Sequence, residues 1–210
     1  MPQLDSYAPE RFWQKWPLRL FQPPLFPASV GAGILWYNGG MSTWFSADHH
    51  FGHKNIIRFC NRPFASAEEM DSVLIDNWNS VVGFDDTVWY LGDFSLSSGL
   101  WWGRLNGHVR CLTYPFHHDR RWQGKRYWSA SGEIEFEGQM VSLSIDRRYL
   151  HLCHFPLEIW DRKHYGAWHL HGHSHGKAPK MPGRLDVGVD CWNYYPVSWE
   201  QVWATLESSE

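Results

Sequence analysis

Short apolar runs and helical patterns alternate along the chain from Met41 onward, and this alternation predicts an α/β fold. Each predicted strand is a run of a few residues rich in apolar, β-branched or aromatic side chains. These runs cover residues 43–47, 86–91, 109–113, 149–153, 167–170 and 185–189. Residues 134–145 alternate around Gly138 and predict a β-hairpin.

Two helices are predicted from the residues at which they begin. Ser66 is followed three residues later by Glu69, and apolar residues then recur at helical spacing. Ser198 and Gln201 repeat this capping pattern near the end of the chain. We therefore expect one helix to begin after each of these two serines.

Residues 1–40 differ in character from the chain that follows. They contain several prolines and scattered aromatic residues, end on Gly39 and Gly40, and keep neither a helical nor a strand period. We expect an N-terminal extension over 1–40 and one domain over 41–210. The extension is open to three interpretations: an upstream arm, a loosely docked segment, or the product of a misassigned start.

Composition narrows the class of protein. The 210-residue chain is 43% hydrophobic and 20% charged, which is typical of a folded globular domain. A formal net charge of -3 and the lack of a long apolar run give no reason to expect membrane association or stable nucleic-acid binding. The four cysteines form no C-x-x-C pair, so we expect free thiols and a cytoplasmic setting. Thirteen histidines favour a metal site.

Groups that can bind metals or carry out catalysis follow the predicted strands. In chain order they are Asp48-x-His50, Gly92-Asp93, His117-His118-Asp119, His154 and Gly172-His173-Ser174-His175. Any one of them is commonplace, since a lone carboxylate or imidazole after a strand usually caps a turn or packs in the core. All five, however, follow a strand, and the carboxyl ends of strands in an α/β sheet share the edge where ligands bind. The set therefore predicts one site of carboxylates and imidazoles.

This ordered set resembles the calcineurin-like metallophosphoesterase superfamily, whose pattern is D-x-H, G-D, G-N-H-D/E, H and G-H-x-H. The resemblance covers about residues 42–200, and the stretches 46–53, 55–59 and 168–175 resemble a small bacterial and phage branch. It implies a four-layer α/β/β/α sandwich of two mixed sheets flanked by helices. It also implies hydrolysis of a phosphomonoester or phosphodiester by a hydroxide that bridges two metal ions.

Carrying the superfamily's roles over by position implies two metal ions that share one carboxylate. The first metal would be held by Asp48, His50, Asp93 and His175. The second would be held by Asp93, His117, His154 and His173. His118 would be the catalytic histidine that donates to a phosphoryl or leaving-group oxygen, and Asp93 would contribute as the bridge. Oxygen and imidazole ligands suit manganese, which we expect, with iron or zinc as alternatives.

One motif departs from the superfamily pattern. Phe116 and His117 stand where the pattern has glycine and asparagine, and imidazole is bulkier than the amide it replaces. A glycine often marks a backbone conformation that other residues adopt at a cost. Two interpretations remain open: an active enzyme, or a non-catalytic interaction module that keeps the fold with an impaired second metal site.

Residues after the first motif are candidates for the substrate pocket. His53 and Arg58 are assigned to substrate binding, whereas Asn61 and Arg62 are expected to be a loop cap and a surface charge. Further candidates for phosphate contact are Arg120, Arg121 and Arg162. The expected substrate is a small phosphate ester or a nucleotide-type molecule, and mono- and diesters remain alternatives.

Overall fold

The computed structural model describes residues 41–96, 98–114, 118–121 and 125–209, all of which belong to one compact unit. The side chains of Arg120 and Arg121 fall outside this description. The expected extension over 1–40 and the proposed ligand His117 also lie outside the described residues.

Nine strands in the described chain form two mixed sheets. In chain order they are β1 (Thr43–Ser46), β2 (Thr87–Tyr90), β3 (His108–Leu112), β4 (Glu135–Glu137), β5 (Met140–Ile145), β6 (Arg148–Cys153), β7 (Trp168–His171), β8 (Arg184–Asp186) and β9 (Val197–Ser198). The first sheet has the order β4-β3-β2-β1-β9, parallel except for β9, and the second has the order β5-β6-β7-β8, parallel except for β5. The predicted α/β class, with two mixed sheets and helices, is confirmed.

Three α-helices lie in the part of the chain that the structure describes: α1 (Lys54–Phe59), α2 (Ala67–Val81) and α3 (Trp199–Glu207). Both helix starts predicted from capping residues are confirmed, because Ser66 and Ser198 accept hydrogen bonds from the backbone N–H groups of Glu69 and Gln201. Helix α1 was not predicted, since it has six residues and buries only Ile56, which is too little for an apolar stripe. None of the described helices has the length and apolar character needed to cross a membrane.

Each face of the first sheet packs against a different partner. On one face Val88 and Tyr90 of β2 belong to a buried cluster with Leu74 and Trp78 of α2. On the other face the alternate residues of the sheet share a second buried cluster with β6, β7 and α3. Because β2 is buried on both faces, it reads as a continuous apolar run. Burial on both faces holds β2 in place, and with it the strand end after which the polar residues of the candidate site follow.

The hairpin predicted over residues 134–145 is wrong. Its first part is β4, which pairs with β3 in the first sheet, whereas its second part is β5, which pairs with β6 in the second. The chain therefore passes from one sheet to the other at Gly138. The observed hairpin joins β5 to β6 through Asp146 and Arg147, whose φ angles of 46° and 66° suit a type I′ turn. Alternation predicted the strands correctly, but it carries no information on which partner each strand takes.

Candidate metal centre

Backbone pairing continues beyond β1 and β2 and holds three candidate ligands side by side. The amide of Asp48 donates to the carbonyl of Gly92, and the amide of His50 donates to the carbonyl of Asp93, both at 3.0 Å. The His50 Nε2 atom consequently lies 3.7 Å from the Asp93 Oδ2 atom. His50 and Asp93, 43 positions apart in the sequence, thus meet because they follow parallel neighbouring strands.

The second sheet delivers its histidines to the same place. His154 follows β6, and its Nε2 atom lies 3.5 Å from the Asp93 Oδ2 atom. The loop after β7 is tied to this region by two bonds: the Gly172 amide donates to the His154 carbonyl at 3.0 Å, and the His173 amide donates to Asp48 Oδ2 at 2.9 Å. Asp48 and Asp93 therefore lie where the carboxyl ends of both sheets meet.

Two of the potential metal-ligand sets among the described residues correspond to the two predicted centres. One set is Asp48, His50 and His175, and the other is Asp93, His154 and His173. Within each set the ligand atoms lie within 4.8 Å of one another. Asp93 also belongs to a set with His50 and His118, so its carboxylate lies beside both centres. The described part of each predicted ligand group is thus brought together.

Most of these ligands adopt a backbone conformation that is uncommon outside glycine. Positive φ angles, from 47° to 66°, occur at Asp48, His50, Asp93, His173 and His175. A left-handed φ costs a residue with a Cβ atom roughly 1–2 kcal/mol. Such strain persists where the surrounding structure imposes it, and it concentrates at functional sites. Five such residues among the candidate ligands are therefore typical of a functional site.

Hydrogen bonds orient two of the imidazole rings. His154 Nδ1 lies 3.0 Å from the Leu91 carbonyl oxygen, which can only accept, so Nδ1 carries the proton and Nε2 is left as the ligand atom. His175 Nδ1 lies 2.7 Å from Asp190 Oδ2. Burial tends to raise the pKa of Asp190, but the hydrogen bonds from His175 and Arg62 outweigh it and lower the pKa to about 2. An ionised Asp190 therefore fixes His175 with Nε2 facing the site.

Arg62 is buried and bonded to the residues around it, so the surface charge expected from the sequence is wrong. It is 4% exposed and holds Asp190 through two bonds, Nε to Oδ1 at 2.8 Å and Nη2 to Oδ2 at 2.7 Å. The same guanidinium donates to the carbonyls of Asp48 and His49 at 2.7 and 3.0 Å. It thus connects the first motif to the aspartate that orients His175. The partner of Arg62 lies 128 positions away, so no local pattern could predict its burial.

Replacing Arg62 with lysine should weaken binding of the first metal by roughly 10–100-fold, because lysine cannot make the paired bonds that hold Asp190. Arg62 bonds to Asp190, Asp48 and His49, none of which belongs to the second set of ligands, so the second metal should be retained. Manganese titration of the metal-free protein measures both affinities. Arg104→Lys, at an exposed arginine, is the matched control. Equal affinities in the two variants would contradict the positioning role.

The first set of ligands has the properties of a cation site. Asp48 is fully buried, and its Oδ1 atom has no hydrogen-bond partner among the described residues, nor has either ring nitrogen of His50. Burial, and then the nearby carboxylates of Asp93, Asp186 and Asp190, raise the pKa of Asp48 well above its usual value. Buried polar atoms without partners are costly, and excess carboxylate charge adds to that cost. A bound cation would supply the missing partner to these atoms.

Gly172 leaves the room that Asp48 needs. A Cβ atom at Gly172 would lie 2.6 Å from both Asp48 Oδ2 and the Cβ atom of Ala47. Neither neighbour can retreat, since both are fully buried. The Asp48 carboxylate therefore approaches the loop after β7 only because residue 172 has no side chain.

We expect Gly172→Ala to displace the Asp48 carboxylate and to lower affinity for the first metal by roughly 10–100-fold. Gly138→Ala is the control, because a Cβ atom there would have its nearest contact at 3.7 Å. Metal content after dialysis against a weak chelator distinguishes the two. Should Gly172→Ala keep the first metal as firmly as Gly138→Ala does, the carboxylate is not a ligand.

The candidate catalytic and substrate residues border the centre. The His118 ring lies 4.9 Å from the ring of His50 and 5.4 Å from that of His53. Asp119 holds this segment in place, since its buried Oδ1 atom accepts from the amides of Phe94 and Ser95 at 2.9 and 3.1 Å. The side chain of Arg58 is exposed, with its guanidinium 5.4 Å from the Phe59 ring.

Two aspartates that sequence reasoning missed organise the loop after β7. Asp186 accepts from the Ser174 hydroxyl at 2.6 Å and from the Gly176 amide at 2.9 Å, and Asp190 holds His175. Asp186 ends β8, so the rule that polar residues at strand ends gather at one edge would have singled it out. Arg162, by contrast, lies near the amino end of β7 and not at the metal centre, which corrects its assignment as a phosphate contact there.

Comparison with known proteins shows relatives over most of the domain. No family model matches the chain. The chain is 32% identical over 178 residues to the uncharacterized protein MJ1445 of Methanocaldococcus jannaschii, covering 78% of this chain and 90% of that protein. It is 30% identical over 186 residues to the gene 66 protein of Mycobacterium phage L5, covering 72% of this chain and 87% of that protein. A solved structure, the protein of unknown function AQ665 from Aquifex aeolicus, has a similar fold, with a TM-score of 0.59 and 17% identity over 79% of this chain and 100% of that one.

Proposed function

The chain belongs to the family of MJ1445 from Methanocaldococcus jannaschii and the gene 66 protein of Mycobacterium phage L5, and we propose that it is a metal-dependent phosphoesterase. The proposal includes two divalent ions, with manganese expected and iron or zinc as alternatives. It also includes the four-layer α/β/β/α arrangement, which the apolar core shared by the two sheets supports.

One observation carries the proposal: two sets of carboxylate and imidazole ligands meet at a single carboxylate. Asp93 Oδ2 lies 3.7 Å from His50 Nε2 of one set and 3.5 Å from His154 Nε2 of the other. Two cations held this close repel each other unless an anionic group lies between them. A shared aspartate is the arrangement that makes a pair of cations stable.

The residues of the chain divide the chemistry among them. Two bound cations would supply Lewis-acid activation of water and neutralise charge on the phosphoryl group. Asp93 would hold both cations at a fixed separation. His118, beside His50 and not buried, is placed to donate a proton or hydrogen bond to an oxygen of the reacting group. The His53 ring lies 5.4 Å from that of His118, and His53 would contact the remainder of the substrate together with the exposed Arg58.

The proposal is tested by metal content and turnover together. We expect the purified protein to bind two transition-metal ions and to hydrolyse p-nitrophenyl phosphate or bis-p-nitrophenyl phosphate in the presence of manganese. A chelator should remove the activity, and manganese should restore it. Protein that binds two ions yet turns over neither ester would favour the non-catalytic module. The ratio of the two rates decides between mono- and diester substrates.

A further inference from the structure

A cavity lies at the opposite end of the second sheet from the metal centre. Its volume is about 370 Å³, and it opens between the β5–β6 turn, the segment before β7, and α3. The residues that matter for its chemistry are Asp146, Arg147, Arg148, Arg162, Tyr165 and Trp203. Arg148 begins β6, whereas His154 follows the end of that strand. Six strand steps of about 3.3 Å place the cavity roughly 20 Å from the metal centre.

The lining is strongly basic in an acidic chain. Three arginines and one aspartate give the lining a formal charge of +2, whereas the whole chain has a net charge of -3. The carboxylate of Asp146 is already engaged, since it accepts from Trp199 Nε1 at 2.7 Å. Asp161 Oδ2 lies 4.0 Å from Arg162 Nε, which is at the upper limit of the distance for an ion pair. The cavity therefore favours an anion.

Aromatic rings hold two of the guanidinium groups in place. Arg148 lies 4.2 Å from the Trp168 ring centre, and Arg162 lies 4.5 Å from that of Tyr149. A stacked guanidinium keeps its N–H groups in its own plane, ready for a planar or tetrahedral oxyanion. Arg147 forms no hydrogen bond or ion pair with any residue that the structure describes, and its side chain is exposed. Arg148, which also donates to the Gly166 carbonyl, and Arg162 are thus held in place before a ligand arrives, whereas Arg147 has all its donors available.

Backbone conformation indicates that these arginines are present for their side chains. Arg147 and Arg162 have φ angles of 66° and 57°, in the left-handed region that glycine and asparagine fill at lower cost. A two-residue hairpin turn favours Asn-Gly at the positions taken here by Asp146 and Arg147. The turn therefore keeps an arginine where its backbone alone would favour a glycine.

We propose that this cavity binds a nucleoside monophosphate, with the phosphate held by the arginines and the base against the aromatic rings. Tyr165 is 80% exposed and Trp203 is half-buried, so both offer ring surface on which a base can stack. The volume lies in the range of small-ligand sites. None of the potential metal-ligand sets among the described residues lies in this cavity, so the role proposed for it is binding and not metal-dependent hydrolysis. The proposal stands apart from the phosphoesterase activity.

Isothermal titration of the full chain with AMP, adenosine and inorganic phosphate tests this site. Arg147→Ala/Arg162→Ala should weaken AMP binding by roughly tenfold or more, since two charge-assisted contacts are lost. Asp93→Asn should leave this binding unchanged, which separates it from any binding at the metal centre. Arg126→Ala, at an exposed arginine that pairs with Glu133, is the control and should also bind normally. Tyr165→Ala should weaken AMP binding but not phosphate binding.

Three outcomes would overturn the proposal. The first is that the protein does not bind AMP at millimolar concentration. The second is that Asp93→Asn loses AMP binding while the double arginine variant keeps it. The third is that the double arginine variant and Arg126→Ala lose AMP affinity equally. Thermal melting checks that each variant is folded. If the double variant does not fold, Arg147→Ala alone decides, because its exposed side chain has no partner in the described chain to lose. That variant should bind AMP several-fold more weakly, and unchanged binding would refute the site.

Discussion

Asp93→Asn should release both metal ions and lower phosphoester turnover by about 10³-fold or more, since several kcal/mol of charge stabilisation are lost with the ions. Asp93 is the residue whose carboxylate lies beside ligands of both sets. Asparagine offers one neutral oxygen, which cannot offset the repulsion between two cations. Loss of either ion alone would mean that Asp93 belongs to one centre only.

Asp93→Asn removes the charge of the side chain without disturbing the backbone conformation. Asp93 has a φ of 57°, and asparagine tolerates that conformation as well as aspartate does. The fold should therefore survive, which thermal melting can verify. Asp85→Asn, at an exposed carboxylate before β2, provides the control and should keep both ions and full turnover. If Asp93→Asn also keeps both ions and full turnover, the proposed two-metal centre is refuted.

His118→Ala should lower turnover by roughly 10²–10⁴-fold while metal content stays the same, as expected for loss of a proton donor or of a group that stabilises developing charge. His118 is not buried, and its ring faces those of His50 and His53. Turnover and metal content are measured on the same sample. The exposed His108 supplies the matched control, His108→Ala, which should affect neither.

The neighbouring His117 tests the alignment behind this role. His117→Asn restores the superfamily pattern and should preserve or raise activity. His118 also belongs to a potential ligand set with His50 and Asp93, so a role as ligand is the competing interpretation. Loss of metal from His118→Ala, with slow chemistry and retained metal in His117→Ala, would exchange the two roles. No effect from either change would favour the non-catalytic module.

The candidate site could be predicted from sequence because its residues obey a positional rule. Asp48, Asp93 and His154 each follow a strand that its apolar residues reveal, and parallel strands end at the same edge. The residues that support these ligands obey no such rule. Arg62 and Asp190 lie 128 positions apart, and their pairing depends on how the segment between α1 and α2 and the chain after β8 come together. The pattern of apolar residues along the chain reveals where a strand ends, but it does not reveal a contact between residues far apart in the sequence.

The division of the chain between two sheets was likewise beyond local pattern. β4 and β5 both alternate, and only the partner of each strand shows that they belong to different sheets. The β5–β6 turn escaped prediction because Asp146 and Arg147 lack the usual turn glycine.

The left-handed backbone at the ligands sets stability and activity against each other. Glycine at His173, whose side chain is exposed, would relieve the backbone strain at that position, a cost that the folded protein carries with or without bound metal. In a lineage released from selection for activity, drift toward glycine and asparagine at these positions would be tolerated or even favoured, while the sheets stayed intact. The inactive descendants of this fold should therefore melt higher than their active relatives when metal is absent, and thermal melting of His173→Gly without metal offers a direct comparison.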